Sequence, residues 1–221
     1  MNPRTLRLFS IADVTLFPAF ILGFIWQLQF TARWTWVIFI LWIVMSFALH
    51  SDTPKTIGWR ADNLGTASQY AGILIGIALA GLIVIGLALR FALGAAFAST
   101  SPHLLPPNLI SWHPLWGYFA FCVLQQVALN SLVHNRMMSL VQNEWTSAAL
   151  TGVIFAACHW PNPVLVPLTF IGGATLAWLF GRHRNIIPLA IGQAILGSLI
   201  FWTFPVAWHH HMRVGPGYYG G

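Results

Sequence analysis

The sequence predicts an all-α fold, a polytopic transmembrane helical bundle of about seven spans with a cytoplasmic N-terminus. Two observations carry that reading. Of 221 residues, 57% are hydrophobic and only 6% are charged, with a mean hydropathy of +0.73, whereas a soluble domain is about 25% charged. The apolar residues also gather into runs near the roughly 20 residues an α-helix needs to cross bilayer hydrocarbon. No shift in composition, internal repeat or low-complexity tract divides the chain, so residues 1–221 read as a single integral-membrane domain.

The elements follow in chain order. A first helix is expected over 9–29. It lacks a small-residue cleavage site before the next apolar run, so it reads as a retained helix rather than a leader. A second spans 34–50 and ends at His50. The third, 70–98, is longer than a bilayer requires, which implies tilt or an extension past the membrane. The Pro-rich STSPHLLPPNLISWHP at 99–114 reads as an irregular surface connection carrying His103 and His113. A fourth helix covers 115–134 and a fifth 147–160, short and stopped by WPNP at 160–163, where it turns sharply into a sixth at 164–181. The seventh, 185–208, leaves the tail HHHMRVGPGYYGG.

Charge sets the orientation. The net charge of +6 rests on ten Lys and Arg against four acids. With the N-terminus inside, Arg4, Arg7, Lys55, Arg60, Arg136, Arg182 and Arg184 fall in cytoplasmic segments. Only Arg33 and Arg213 fall outside, and Arg90 lies within the third helix. This is the asymmetry of the positive-inside rule, and it points to an odd number of spans and to lipid rather than nucleic acid as the basic residues' partner. A bacterial inner (cytoplasmic) membrane is the expected location. Trp26, Trp34, Trp112 and Trp208 stand near helix ends, where indole rings anchor at headgroups. Cys122 and Cys158 fall inside apolar runs and read as small buried hydrophobes rather than a disulfide.

Three polar features interrupt the later helices: Gln125 with Gln126, His159, and Gln193. At 1.5 Å per residue Gln125 lies about 15 Å in from the outer end of its helix, and His159 and Gln193 about 18 and 12 Å in from the opposite face, so all could meet near mid-membrane. Polar groups at that depth face the bundle interior, either as interhelical hydrogen bonds or as a site. The expectation is one interior cavity lined by Gln125 or Gln126, Asn130, His159 and Gln193. Because neighbouring residues leave a helix in different directions, one of the two glutamines is expected to point elsewhere in the bundle.

LQQVALN, then FAACHWPNP, then NIIPLAIGQAILG resemble the later half of the CPBP family, the CAAX-protease and bacteriocin-processing (Abi) intramembrane endopeptidases. The resemblance covers about residues 115–200, with an echo in TIGWRADNLG at 56–65, and its firmest part is the spacing from Phe155 to His159. The family's first motif, Glu-Glu with Arg four residues after the second Glu, is met here by Gln125, Gln126 and Asn130. Its third, a His with Asn or a similar residue four positions later, is met by Gln193 and Gly197. What the resemblance implies is a degenerate catalytic set of Gln125, Gln126, Asn130, Phe155, His159 and Gln193, with His159 as the one strong metal ligand and zinc as the cofactor of an active form.

The substitutions have chemical consequences. A carboxamide has no lone pair basic enough to take a proton from water near neutral pH, and losing a general base costs about 10²–10⁴ in rate. One histidine with carboxamides makes a poor zinc site. Of the acids, Asp13, Asp52, Asp62 and Glu144 are expected near helix ends or in loops, none replacing the lost glutamates. His134 and His183 read as cytoplasmic helix-end residues beside a helix dipole or lipid phosphate, and His209, His210 and His211 as an exposed polar tail or contact surface. The leading expectation is a pseudoenzyme of the CAAX-protease type, a membrane scaffold or accessory subunit with a protein partner in a larger complex. Two others stand beside it: an active intramembrane endopeptidase with a Gln/His site, and a pigment- or haem-binding subunit using His159 as an axial ligand.

Overall fold

Helix boundaries follow the capping chemistry of the sequence. The computed structural model describes residues 2–100 and 112–220, of which 98–100 and 112–115 by backbone only. The stretch expected as a connection at 99–114 lies largely outside these residues, as do His103 and the side chains of Trp112 and His113. Helix α1 (Pro3–Gly23) starts with Pro3 behind Asn2, whose side-chain Oδ1 accepts from the Arg4 amide at 2.9 Å. It continues through a π turn (Phe24–Leu28) and Gln29–Thr31. After Arg33–Thr35 come α2 (Trp36–Leu49), α3 (Leu64–Leu93) and the short α4 (Ala95–Thr100). Helix α5 runs as Trp112–Gln126, a π segment Val127–His134, and Asn135–Val141. Next are α6 (Glu144–Ala157), capped by Asn143, then α7 (Leu165–His183) and α8 (Ile186–Thr203), capped by Asn185. A last turn, α9 (Val206–His209), leads into the 3-10 turns His210–Met212 and Gly215–Tyr218.

The described residues contain no strand. Five helices are long and apolar enough to cross a membrane: Pro3–Thr31, Leu64–Leu93, Trp116–Val141, Leu165–His183 and Ile186–Thr203. The other two of the expected seven are present as helices but shorter, Arg33–Leu49 and α6. Leu16, Leu41, Ile77 and Phe91 stand exposed on the outer faces. An apolar surface of this extent is that of a helical membrane bundle.

The bundle is organised around the π segment. Leu129 through His134 are all buried, and α1, α2, α6, α7 and α8 all pack against it. On one side Phe17, Ile43, Leu132 and Val133 form a core; on the other, Ala71, Leu176, Leu179, Phe180, Ile186 and Leu189 form a second. The fourth helix therefore does not end at 134 as expected. It runs on to Val141, because the polar residues that read as an exit from the membrane, Asn135 and Arg136, bond inside the protein.

One end of the bundle is laced by the α2–α3 loop. Ser131 Oγ donates to the Ile57 carbonyl (2.5 Å), Asn135 Nδ2 to the Thr56 carbonyl (2.9 Å), Asn185 Nδ2 to the Arg60 carbonyl (2.9 Å), and the Ile186 amide to the Gly58 carbonyl (3.0 Å). Gly58 has φ +83° and lies against Phe180, where a Cβ would sit 2.5 Å from the ring. Only glycine fits both the backbone conformation and the space. Asp62 is exposed in this loop, and hydrogen bonding from Arg60 holds its carboxyl at about 2.

The opposite end holds the C-terminal tail, which is not an exposed strand of histidines. His209 is fully buried; it accepts the Met212 amide on Nδ1 (3.1 Å) and packs on Phe201 (ring centroids 5.0 Å apart). His210 stacks on Tyr218 at 4.1 Å, while His211 is exposed. The tail is tied down by Asn162 of the WPNP turn, which donates to the carbonyls of His209 (2.8 Å) and Arg213 (3.0 Å) and accepts from the Val164 and Leu165 amides. The Gly215 amide also donates to the Trp160 carbonyl at 2.9 Å.

Two outcomes are expected. Helices α6 and α7 meet at Gly152, where a Cβ would lie 2.7 Å from the Phe170 carbonyl oxygen and 2.9 Å from the Ala174 backbone nitrogen. Gly152→Ala should therefore lower the melting temperature in detergent, by about 1–3 kcal/mol of overpacking. Gly172→Ala, with nothing within 4 Å of its Cβ, should not; equal effects from the two would refute this packing. The second outcome concerns pH. Burial depresses the His209 pKa below its ordinary value, with nearby His211 adding to the effect. Tail docking should then be full above about pH 6.5 and weaken as pH falls below it, because the undocked imidazole binds protons that the buried one refuses. Limited proteolysis beyond Thr203 across pH 5–8 reads this directly, and a pH-independent cleavage rate would contradict it.

Candidate functional site

Gln125 and Gln126 occupy the last turn of the regular half of α5, Asn130 lies one turn on in the π segment, and Gln193 sits midway along α8. Gln126 and Asn130 are fully buried, while Gln125 and Gln193 are half-buried. The four carboxamides form one chain of hydrogen bonds running in a single direction. Asn130 Nδ2 donates to Gln126 Oε1 (2.5 Å), Gln126 Nε2 to Gln193 Oε1 (2.6 Å), and Gln193 Nε2 to Gln125 Oε1 (2.5 Å).

The expectation that one glutamine points elsewhere is corrected. Both reach Gln193, because a carboxamide carries a donor and an acceptor on opposite edges and so bridges two side chains that leave their helix in different directions. Three hydrogen bonds link the four amides and offset part of the cost of hydrocarbon at this depth, while Asn130 Oδ1 stays buried without a partner.

The remaining pair, Phe155 and His159, belongs to α6 and the turn after it. His159 follows α6 in the turn toward α7, half-buried, with Nδ1 2.7 Å from the Phe155 carbonyl and its ring edge-on to Phe155 at 4.6 Å. A carbonyl only accepts, so Nδ1 carries the proton and Nε2 is the ring's acceptor. Among the described residues no hydrogen bond joins His159 to the amide chain; the four amides bond one another, and His159 bonds the Phe155 carbonyl.

A zinc ion does not fit these residues. Catalytic zinc takes three protein ligands and structural zinc four. Here the amides are committed to each other, His159 supplies one nitrogen, and no group of three or more His, Cys, Asp or Glu is placed to share an ion among the described residues.

Two buried polar groupings were missed in the sequence. Asp13 lies inside α1 rather than at its end, 3% exposed. Its Oδ1 accepts from Trp42 Nε1 (2.8 Å), and its Oδ2 from Ser46 Oγ (2.5 Å) and Arg136 Nε (3.3 Å). Arg136 Nη2 reaches on to Asp52 Oδ2 (2.5 Å), so one buried guanidinium is held between two carboxylates. His50 borders this cluster, bonded to Ser10 Oγ at 3.1 Å and to the Ser46 carbonyl at 3.0 Å. An Asp within an apolar run was the available signal. The second grouping is around His134, which is 1% exposed and meets Thr151 Oγ1 at 3.1 Å. It is not at a lipid-facing helix end. His183 does end its helix, stacked on Tyr70 at 4.5 Å.

Comparison with protein-family models, curated proteins and solved structures finds no match to the chain. Fold and site define a class nonetheless: a helical membrane bundle with a linear chain of neutral amides in its interior and a buried Asp-Arg-Asp cluster toward one end.

The amide chain makes an ordered expectation. Gln193→Leu strands Gln126 Nε2 and Gln125 Oε1 together, at about 1–2 kcal/mol of stability. Gln125→Leu removes only the terminal, half-buried acceptor and should cost less. Thermal unfolding in one detergent should rank wild type, Gln125→Leu and Gln193→Leu in falling order, and the reverse order would refute the connectivity.

Proposed function

We propose that this chain is a catalytically silent relative of the CAAX-protease and bacteriocin-processing bundles, acting by binding as a membrane scaffold or accessory subunit of a larger complex. The observation that carries the reading is the amide chain. Four side chains at motif positions where the resemblance implies glutamates, an arginine and a histidine are carboxamides bonded to one another in one chain of three hydrogen bonds. No group among them takes a proton from water near neutral pH. His159, the one imidazole at a matching position, is bonded to its own helix.

The proposal includes the placement of the bundle. The N-terminus and the end carrying Lys55, Arg60, Arg136, Arg182 and Arg184 face the cytoplasm, α2 and α6 complete seven crossings, and the membrane is a bacterial inner membrane. The supporting argument is the positive-inside bias, with Arg33 and Arg213 on the other side.

The test is direct. Purified wild-type protein should cleave neither prenylated nor unprenylated peptides above background, should carry no stoichiometric zinc by elemental analysis, and should run in native membranes as part of a discrete complex larger than one chain. Activity appearing only when Gln125→Glu, Gln126→Glu, Asn130→Arg and Gln193→His are combined would mark a degenerate site on an intact scaffold. Cleavage by the unmodified chain, abolished by Gln125→Ala or His159→Ala, would overturn the proposal in favour of an active endopeptidase. A visible absorption band lost in His159→Ala would overturn it in favour of a pigment- or haem-binding subunit.

A further inference from the structure

At the end of the bundle away from the α2–α3 loop, a half-open apolar groove of about 500 Å³ lies between the start of α7 and the folded-back tail. Pro163, Val164, Pro167 and Leu168 form one wall; Phe204, Ala207, Trp208 and Tyr218 form the other. The volume is that of a small-molecule site, and exposed Pro163, Pro167, Ala207 and Trp208 open it sideways. It sits where the spans α7 and α8 begin and end, at the boundary between acyl chains and headgroups, with Trp208 and Tyr218 of the residue types that favour that depth. Hydrocarbon chains are the solvent there, so the groove's natural filling is an acyl chain rather than water.

Charge at the mouth selects the head. Tyr218 is stacked under His210, and Arg213 is exposed beside it, with Nη1 3.4 Å from the Gly220 carbonyl. All four acids of the chain lie toward the opposite end: Asp13 and Asp52 on Arg136, Asp62 on Arg60, and Glu144 on Arg182. Among the described residues no acidic side chain is paired with a cation near the groove. We propose that this groove is a binding site for one anionic phospholipid, its acyl chain between α7 and the tail and its phosphate on Arg213. The site is independent of the amide chain and of whether the protein cleaves anything.

The experiment uses the full-length protein, delipidated in detergent and offered phosphatidylglycerol or phosphatidylcholine with identical chains, with bound lipid counted by native mass spectrometry. One lipid should be retained, with a preference for phosphatidylglycerol of roughly fivefold at low salt, the effect of a single interfacial arginine. Arg213→Gln should erase that preference while leaving phosphatidylcholine binding unchanged. Ala207→Trp, which fills the groove, should reduce retention of both. Equal retention of the two headgroups by wild type, or undiminished retention by a folded Ala207→Trp, would overturn the proposal. Should Ala207→Trp fail to fold, bromine-labelled phosphatidylglycerol still decides. It should quench wild-type fluorescence more than that of Trp208→Phe, and equal quenching would overturn the site.

Discussion

A single guanidinium between two carboxylates joins the first two helices to the rest of the molecule. Helices α1 and α2 reach the bundle chiefly through the second half of α5, and at that joint Arg136 bonds Asp13 of α1, Ser46 of α2 and Asp52 just beyond it. All three charged side chains are less than a tenth exposed. Burying such charges is expensive, and their mutual attraction repays it only when the remaining lone pairs are satisfied too. Trp42 and Ser46 do that for Asp13. The cluster contributes less by its net energy than by the alternatives it excludes. Any other register of α1 and α2 against α5 would leave a buried charge alone, at several kcal/mol.

The same rule, applied to neutral groups, shapes the centre. Carboxamides cost less to bury than charges, and a chain of them needs no counter-ion. Gln193 contributes the one carboxamide that belongs to neither α5 nor its π segment, so the chain ties α8 to the middle of α5. The π segment matters here because its looser winding begins right after Gln126. It buries six successive residues, Leu129 to His134, which a regular helix on the surface of a bundle cannot do. A central segment contacted from all sides by five other helices can.

Much of this architecture was legible in the sequence because hydrocarbon imposes a length and a composition on each span. The seven apolar runs correspond to seven helices, and WPNP does end α6. The polar residues of the middle were also legible as a group, since Gln125, Gln126, Asn130 and Gln193 do meet. What failed was any inference that needed direction or partner. His134 and Arg136 read as a helix leaving the membrane, because a cation after an apolar run normally meets water. Thr151 and the two aspartates that receive them are 17 to 123 residues away in sequence, and nothing local announces such partners. Asn162 was hidden for a different reason. In WPNP the prolines explain the turn, while two of the asparagine's four hydrogen bonds go to a tail some fifty residues on.

These polar devices divide the molecule by depth. Toward the end that carries Lys55 and Arg60, charges are paired and the loop is pinned to α5 and α8 through backbone carbonyls that accept from Ser131, Asn135 and Asn185. At the centre, neutral amides bond one another. At the far end, Asn162 binds the tail with hydrogen bonds alone, and acids are absent. The ion pairs, whose charge-assisted bonds are about twice as strong as neutral ones, are confined to the end that carries the acids. The tail end is thus the part of the bundle with the least electrostatic restraint, and it is also where a sizeable apolar groove opens. On the proposed reading of the centre as catalytically silent, recognition belongs to the cationic and aromatic far end rather than to the core.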